Sequence, residues 1–156
     1  MQKDLYGFLK HHRVPVISGG ARGVDQMAHR IALLLELPTA VVLPSGLHQK
    51  YPALWNDNGW VEKGVTFISE LRLGAPISKQ NFSSRNRLIA YLGTLTLILE
   101  ARMKSGTLIT AHHALVESKP VCVVPGHPAI SQFAGSLQLL TEGSFFVRNA
   151  LDLSFY

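Results

Sequence analysis

The sequence predicts an α/β fold, a three-layer, doubly wound and mostly parallel sheet of the extended Rossmann-like kind. Three observations carry this expectation. Short β-branched apolar runs recur at residues 14–18, 39–43, 65–69, 95–100 and 120–124. They lack polar alternation, which marks strands covered on both faces. Segments of helical period separate them, and regular strand–helix alternation builds βαβ units around a parallel sheet.

Residues 4–11 read as a helix that precedes the first strand. In a doubly wound fold the first strand normally sits in the middle of the sheet. The usual first strand is therefore expected to be lacking, or the centre rearranged. The run at 14–18 leads to Val24, Met27, Ala28, Ile31, Ala32 and Leu35, a helical spacing over three turns. Shorter helical segments are expected at 88–92 and 108–117.

Composition narrows the class. With 156 residues, 47% hydrophobic and 16% charged, the chain is expected to be one globular domain over 1–156. No internal repeat, low-complexity tract or linker divides it. Fifteen Lys and Arg against ten Asp and Glu give a formal charge of +5, which suits a polyanion without identifying one. The single cysteine, Cys122, lies in an apolar run and reads as a small buried hydrophobe. Without a basic-then-apolar leader or an 18-residue apolar stretch, no membrane role is expected, and the cytoplasm is the default location.

Three loops have the composition of anion sites. Ser18-Gly19-Gly20-Ala21-Arg22-Gly23 follows the first strand and opens a helix carrying Asp25. Glycines there allow close backbone approach, and the helix start offers N–H groups to a phosphate. A dinucleotide fingerprint would need Gly at position 18 and an acid after the second strand, and neither is present. The second loop, Ser105-Gly106-Thr107, opens the helix at Leu108 and reads equally well as a plain cap. The third, residues 79–87, places Lys79, Arg85 and Arg87 around Phe82. Cations with an aromatic suit single-stranded nucleic acid, since phosphates attract charge and bases need a flat apolar face. On a helix Arg85 and Arg87 point about 200° apart, so Arg85 is expected to face the ligand and Arg87 to be structural. Loops following parallel strands converge at the carboxyl edge of a sheet, so Arg22, Lys79, Arg85 and the Ser105-Gly106-Thr107 amides are expected to line one basic groove.

These residues, with their order and spacing, resemble the DprA/Smf family. The resemblance rests on Ser18-Gly19-Gly20-Ala21-Arg22-Gly23-Val24-Asp25 with Ala28-His29, on Ser45-Gly46-Leu47 with Tyr51-Pro52, and on Ser69-Glu70. It continues through Phe82, Arg85-Asn86-Arg87, Glu100-Ala101 and Ser105-Gly106-Thr107-Leu108-Ile109-Thr110-Ala111, to Val124-Pro125-Gly126 and Thr141-Glu142-Gly143. It implies single-stranded DNA binding, self-association into a homodimer, and delivery of DNA to the RecA recombinase in natural transformation. It implies neither catalysis nor a cofactor. Arg22, Lys79, Phe82, Arg85 and Asn86 correspond to the family's DNA-contacting set, and Ser45 and Gly46 to backbone contributors. Gly20, Gly23, Ser105, Gly106 and Thr107 complete the expected phosphate loops. Two departures stand out: the family's first-strand Gly-Ser-Arg turn is absent, and neither an N-terminal helical domain nor a C-terminal winged helix fits within the chain.

Rival readings fit less well. The lysine-decarboxylase-like nucleoside-phosphate hydrolases share the broad fold and carry a catalytic Glu where this chain has Thr110, and a hydroxyl cannot replace a carboxylate as general base. A sensor of a small nucleotide would use similar loops. His11-His12 and His112-His113 are adjacent pairs that diverge on a helix, so no metal is expected. His29 stands one turn beyond Asp25, which predicts a structural Asp–His contact. Glu70 and Glu100 are expected to pair with Arg72 and Arg102 or with loop amides.

Overall fold

Leu5, Phe8 and Leu9 form an i, i+3, i+4 stripe on helix α1 (Gln2–His12), and all three are buried. This face packs α1 on α2 (Val24–Leu34). The computed structural model describes residues 2–49 and 59–155, and these cluster into two units, Gln2–Arg85 and Asn86–Tyr156.

In the Gln2–Arg85 unit, β1 (Val16–Ser18), β2 (Thr39–Val42) and β3 (Val65–Ile68) form a parallel sheet in the order β1-β2-β3. Val16 pairs with Thr39, and Thr39 with Val65. The β1 strand therefore lies at an edge of its sheet. Val41, Leu43, Trp60 and Val65 make a core cluster, joined by Leu33 and Phe67. Helix α3 (Lys79–Leu92) begins in this unit.

In the Asn86–Tyr156 unit, β4 (Thr96–Ile98), β5 (Val121–Val123) and β6 (Phe145–Phe146) form a second parallel sheet in the order β4-β5-β6. Helices α4 (Gly106–Val116) and α5 (Ala134–Thr141) provide the crossovers. Short 3-10 turns occupy Ser131–Phe133 and Ala150–Phe155. Alanines at 90, 101, 111 and 114 share this core with Ile98, Val121, Val123 and Leu139. Cys122 is fully buried, and burial pushes its thiol up to about 11, so it serves as a small hydrophobe.

The α/β class and parallel strands are those the sequence predicts, each strand trimmed at its ends. Two differences matter. Helix α3 starts at Lys79 rather than at 88, which puts Lys79 and Phe82 on the same helix as Arg85 and Asn86 and sets its phase. The sequence also gave no warning of α5 or of β6, whose two residues are too few to show a period.

Candidate functional site

The β1–α2 loop is shaped by its glycines and held by side chains. Gly20 and Gly23 have φ of 68° and 97°, a region in which only glycine is unstrained. Gly23 is the N-cap of α2. The Asp25 carboxylate accepts a hydrogen bond from Ala21 N at 3.0 Å, and Gln26 Nε2 donates to Gly20 O at 3.5 Å. Arg22 stands exposed at the loop's tip.

The expected Asp25–His29 contact is not the one that forms. His29 is fully buried with Nδ1 2.6 Å from Thr39 Oγ1, and that hydroxyl donates to Val16 O at 3.0 Å. The Thr39 proton is thus committed, so Nδ1 must be the donor and His29 the Nδ1–H tautomer. Its Nε2 is buried without a hydrogen-bond partner among the described residues. Burial pulls the imidazole down to about 4, against a smaller upward pull from Asp25. Trp60 lies edge-on, its ring centroid 5.9 Å away.

Arg85 is turned inward. Expected to face a ligand, it is only 6% exposed. Its Nη1 donates to Val42 O at 2.5 Å, at the carboxyl end of β2. Its guanidinium lies where a side chain on Gly19 would stand, which explains the glycine at that position. Its Cζ is 5.8 Å from the centre of the Phe82 ring. Arg85 therefore holds the start of α3 over the ends of β1 and β2. The reason is helix phase: with α3 starting at Lys79, positions 85 and 86 fall on its inner face. Arg87 is half-buried, Phe82 is half-buried rather than an open platform, and Lys79 is exposed.

Asn86 is turned inward as well. It is 6% exposed, and its Nδ2 donates to Gly106 O at 3.0 Å, tying α3 to the first turn of α4. Ser45 and Gly46 are also turned to internal use. Ser45 O accepts from Ser69 Oγ at 2.7 Å, and Gly46 N donates to Ala75 O at 2.9 Å. A side chain on Gly46 would strike the carbonyls of Arg72 and Leu73, so close backbone contact requires the glycine. Tyr51-Pro52 lies outside the described residues.

In the Asn86–Tyr156 unit, Ser105 is the extended N-cap of α4 (φ −82°, ψ 160°) but its hydroxyl makes no capping bond. Its Oγ is buried without a partner among the described residues. Gly106 is exposed and Thr107 half-buried. Ahead of them, Ala101 is held from both sides: its O accepts from Gly135 N and Ser136 N, and its N donates to Ser136 Oγ.

Several structural roles escaped the sequence reading. Lys119 Nζ donates to the carbonyls of Ala90, Tyr91 and Gly93 and closes the C-terminus of α3. Ser78 Oγ accepts from Asn81 N at 3.2 Å. A serine three residues before a potential N3 position is an N-cap signal, and it could have located the true start of α3. Among the described residues, no group of three or more His, Cys, Asp or Glu could hold a metal, and no helix is long and apolar enough to cross a membrane.

The profile of the DNA recombination-mediator protein A family matches residues 1–155. A DNA processing protein DprA of Mycobacterium tuberculosis is 36% identical over 152 residues, covering 96% of this chain and 39% of the relative. The crystal structure of DprA from Streptococcus pneumoniae superposes with a TM-score of 0.85 at 30% identity, covering 97% of this chain and 55% of that one. A Helicobacter pylori DprA structure, described for its single-stranded DNA binding mode, superposes at 0.81 with 29% identity, covering 97% and 69%. The chain thus spans well under half the length of the mycobacterial relative and about half of the pneumococcal one. Matched by that family profile over nearly all its residues, with parallel sheets of the same fold, the chain belongs to the DprA/Smf family.

Proposed function

We propose that the chain holds single-stranded DNA without transforming it and passes the strand to the RecA recombinase in natural transformation. The observation that carries this reading is in the Gln2–Arg85 unit. Exposed Arg22 stands at the tip of the β1–α2 loop, and exposed Lys79 shares an α3 face with the half-buried Phe82 three residues on. Two cations supply attraction to phosphates, and the aromatic edge supplies a surface for a base. Gly23, exposed at the start of α2, lets a strand approach the loop backbone, and buried Gly20 supplies the turn that leads to it. Arg85, Ser45 and Gly46 hold the surrounding shape. In the Asn86–Tyr156 unit, Ser105, Gly106 and Thr107 offer amides to a phosphate, with Asn86 fixing that turn. The H. pylori relative's single-stranded DNA binding supports the choice of ligand.

The reading includes no catalytic step and no cofactor. Thr110, at the position of the hydrolases' Glu, spends its hydroxyl on Gly106 O, 3.3 Å away in its own helix. The RecA partner and a cytoplasmic location rest on kinship with DprA proteins. Self-association into a homodimer has added support in Phe145 and Phe146, 44% and 53% exposed on the edge strand β6. Phe133, by contrast, lies against Gly126 of its own unit.

Fluorescence anisotropy with labelled oligo-dT and a duplex of equal length tests the proposal. The single strand is expected to bind more tightly, and equal affinities would overturn the reading. Mononucleotides are expected to compete poorly; displacement of the strand by a mononucleotide at matching concentration would favour a nucleotide sensor instead.

A further inference from the structure

Four non-glycine residues among those described have positive φ: Arg13, Glu36, Lys104 and Ser118. Three of them end helices. Arg13 N bonds Leu9 O after α1, Glu36 N bonds Leu33 O after α2, and Ser118 N bonds Leu115 O after α4. Left-handed backbone at those positions is repaid by satisfying the last carbonyls of a helix. Lys104 closes no helix. It lies just before α4, in a turn that Ser105 N closes onto Arg102 O at 3.3 Å, at a φ of 57° that glycine or asparagine would adopt at less cost.

The same turn has an unusual surface. Arg102, Met103 and Lys104 are consecutive and all exposed, Met103 by 51%. Among the described residues neither cation makes an ion pair, and the pairing of Arg102 with Glu100 suggested by sequence is not formed. Two other cations of the unit differ: Lys119 is committed to the end of α3, and Arg148 to Asp152 at 3.0 Å. The turn is nevertheless firmly rooted. Ala101 is held by Gly135 and Ser136 at 2.8–3.2 Å, and a side chain on Gly135 would collide with the carbonyls of Ala101 and Arg102. A strained, anchored turn that presents an apolar side chain between two uncommitted cations is arranged for an external ligand.

We propose that the Arg102-Met103-Lys104 turn is a further single-stranded DNA contact, with Arg102 and Lys104 on phosphates and Met103 against a base. This rests on the single-stranded DNA reading above and adds to it a site contributed by the Asn86–Tyr156 unit. A polyanion that also carries flat apolar faces satisfies all three side chains. An acidic peptide would satisfy the cations and leave Met103 in water.

The test is anisotropy of labelled oligo-dT over a salt series, with the full chain and the double variant Arg102→Gln/Lys104→Gly. Glycine at 104 keeps the turn and relieves its backbone, so the melting temperature should hold or rise. The slope of log affinity against log salt should fall by about 0.7 for each cation removed. Met103→Ser should weaken oligo-dT binding several-fold, yet match the parent on an abasic strand of equal length. If the parent binds and the double variant retains its slope and affinity, the turn proposal is wrong and the DNA reading stands. If Met103→Ser loses as much on the abasic strand, the base contact is wrong. A parent chain that binds no oligo-dT overturns the DNA reading, and this inference with it.

Discussion

The β1–α2 and β4–α4 loops hold matching places in their own sheets. Each leaves the carboxyl end of a parallel strand and opens an eleven-residue helix. They are built by different means. The first uses two positive-φ glycines, with Asp25 bonded back to Ala21 and the Arg85 guanidinium against Gly19. The second has its left-handed residue at Lys104, and it is held by Asn86 on Gly106 O and by Ser136 on Ala101. Arg85 and Asn86 are consecutive on α3, and each fixes one loop. What the contrast teaches is that a polar side chain near a phosphate-type loop either holds the loop or reaches past it, and helix phase decides which. Arg85 and Asn86 hold; Arg22 and Lys79 are exposed.

The largest effect should come from removing the tie of the first loop. Arg85→Ala deletes a charge-assisted bond to Val42 O and opens a void between Gly19 and Phe82. A loss of roughly 3 kcal/mol is expected from the bond and the cavity together, read as a fall in the urea midpoint. An unchanged midpoint with weakened DNA binding would return Arg85 to the ligand-facing role and erase the contrast.

The same unit has a second buried tie, with a pH signature. The imidazole of His29 is lowered from 6.5 to about 4, mainly by burial. A histidine with a depressed folded-state pKa binds its proton more readily when unfolded. Its contribution is therefore fully present above pH 6.5 and is lost as pH falls toward 4. Protonation would also put an N–H on Nε2, which is buried with no partner among the described residues. The full shift corresponds to on the order of 3 kcal/mol, only part of which is lost by about pH 5. Urea midpoints should drop with acidification in the parent and drop less in His29→Gln. Parallel pH profiles for the two proteins would show that the imidazole does not titrate between the two states.

In the Asn86–Tyr156 unit the corresponding structural cation is Lys119. Its ammonium group satisfies three carbonyls at the end of α3. Lys119→Ala should cost about 1–2 kcal/mol, seen as a lower melting temperature, with an unaltered salt dependence of DNA binding. A changed salt slope would place Lys119 on the ligand and undo its assignment as a helix cap.

The sequence was informative where period and burial coincide. Unbroken runs of Val, Ile and Leu located the strands, since each needs only covered faces to be recognised. The Ser105-Gly106-Thr107 segment did open a helix, although the Ser105 hydroxyl caps nothing. The start of α3 was hidden because residues 79–87 contain one large apolar side chain, Phe82, and so carry no hydrophobic period. Without that start the phase of the helix is undefined, and a cation on its outer face looks the same in sequence as Arg85 on its inner one. The Met103–Lys104 turn was invisible for another reason: backbone φ leaves no trace when the residue is not glycine.

The smallest effect concerns the exposed pair, and it tests the contrast from the other side. The side chains of Arg22 and Lys79 lie on the surface, with no hydrogen bond or ion pair to another described residue. Removing either should therefore leave the melting temperature nearly unchanged, within about 0.5 kcal/mol of stability. Each cation that neutralises one phosphate of a single strand contributes about 0.7 to the slope of log affinity against log salt. Arg22→Ala and Lys79→Ala should each flatten the slope by about that amount and weaken binding equally across sequences. Lys3 and Lys63, also exposed, provide the reference. Lys3 lies at the start of α1, and Lys63 belongs to the turn that precedes β3 at its amino end. If the chain attracted DNA by overall charge alone, all four alanine variants would shift the slope alike. Flattening confined to Arg22 and Lys79 localises the strand to the carboxyl side of the first sheet, while the stability losses stay with Arg85. A Lys63→Ala variant that moves the slope as far as Lys79→Ala would mean that no such division of labour exists among these cations.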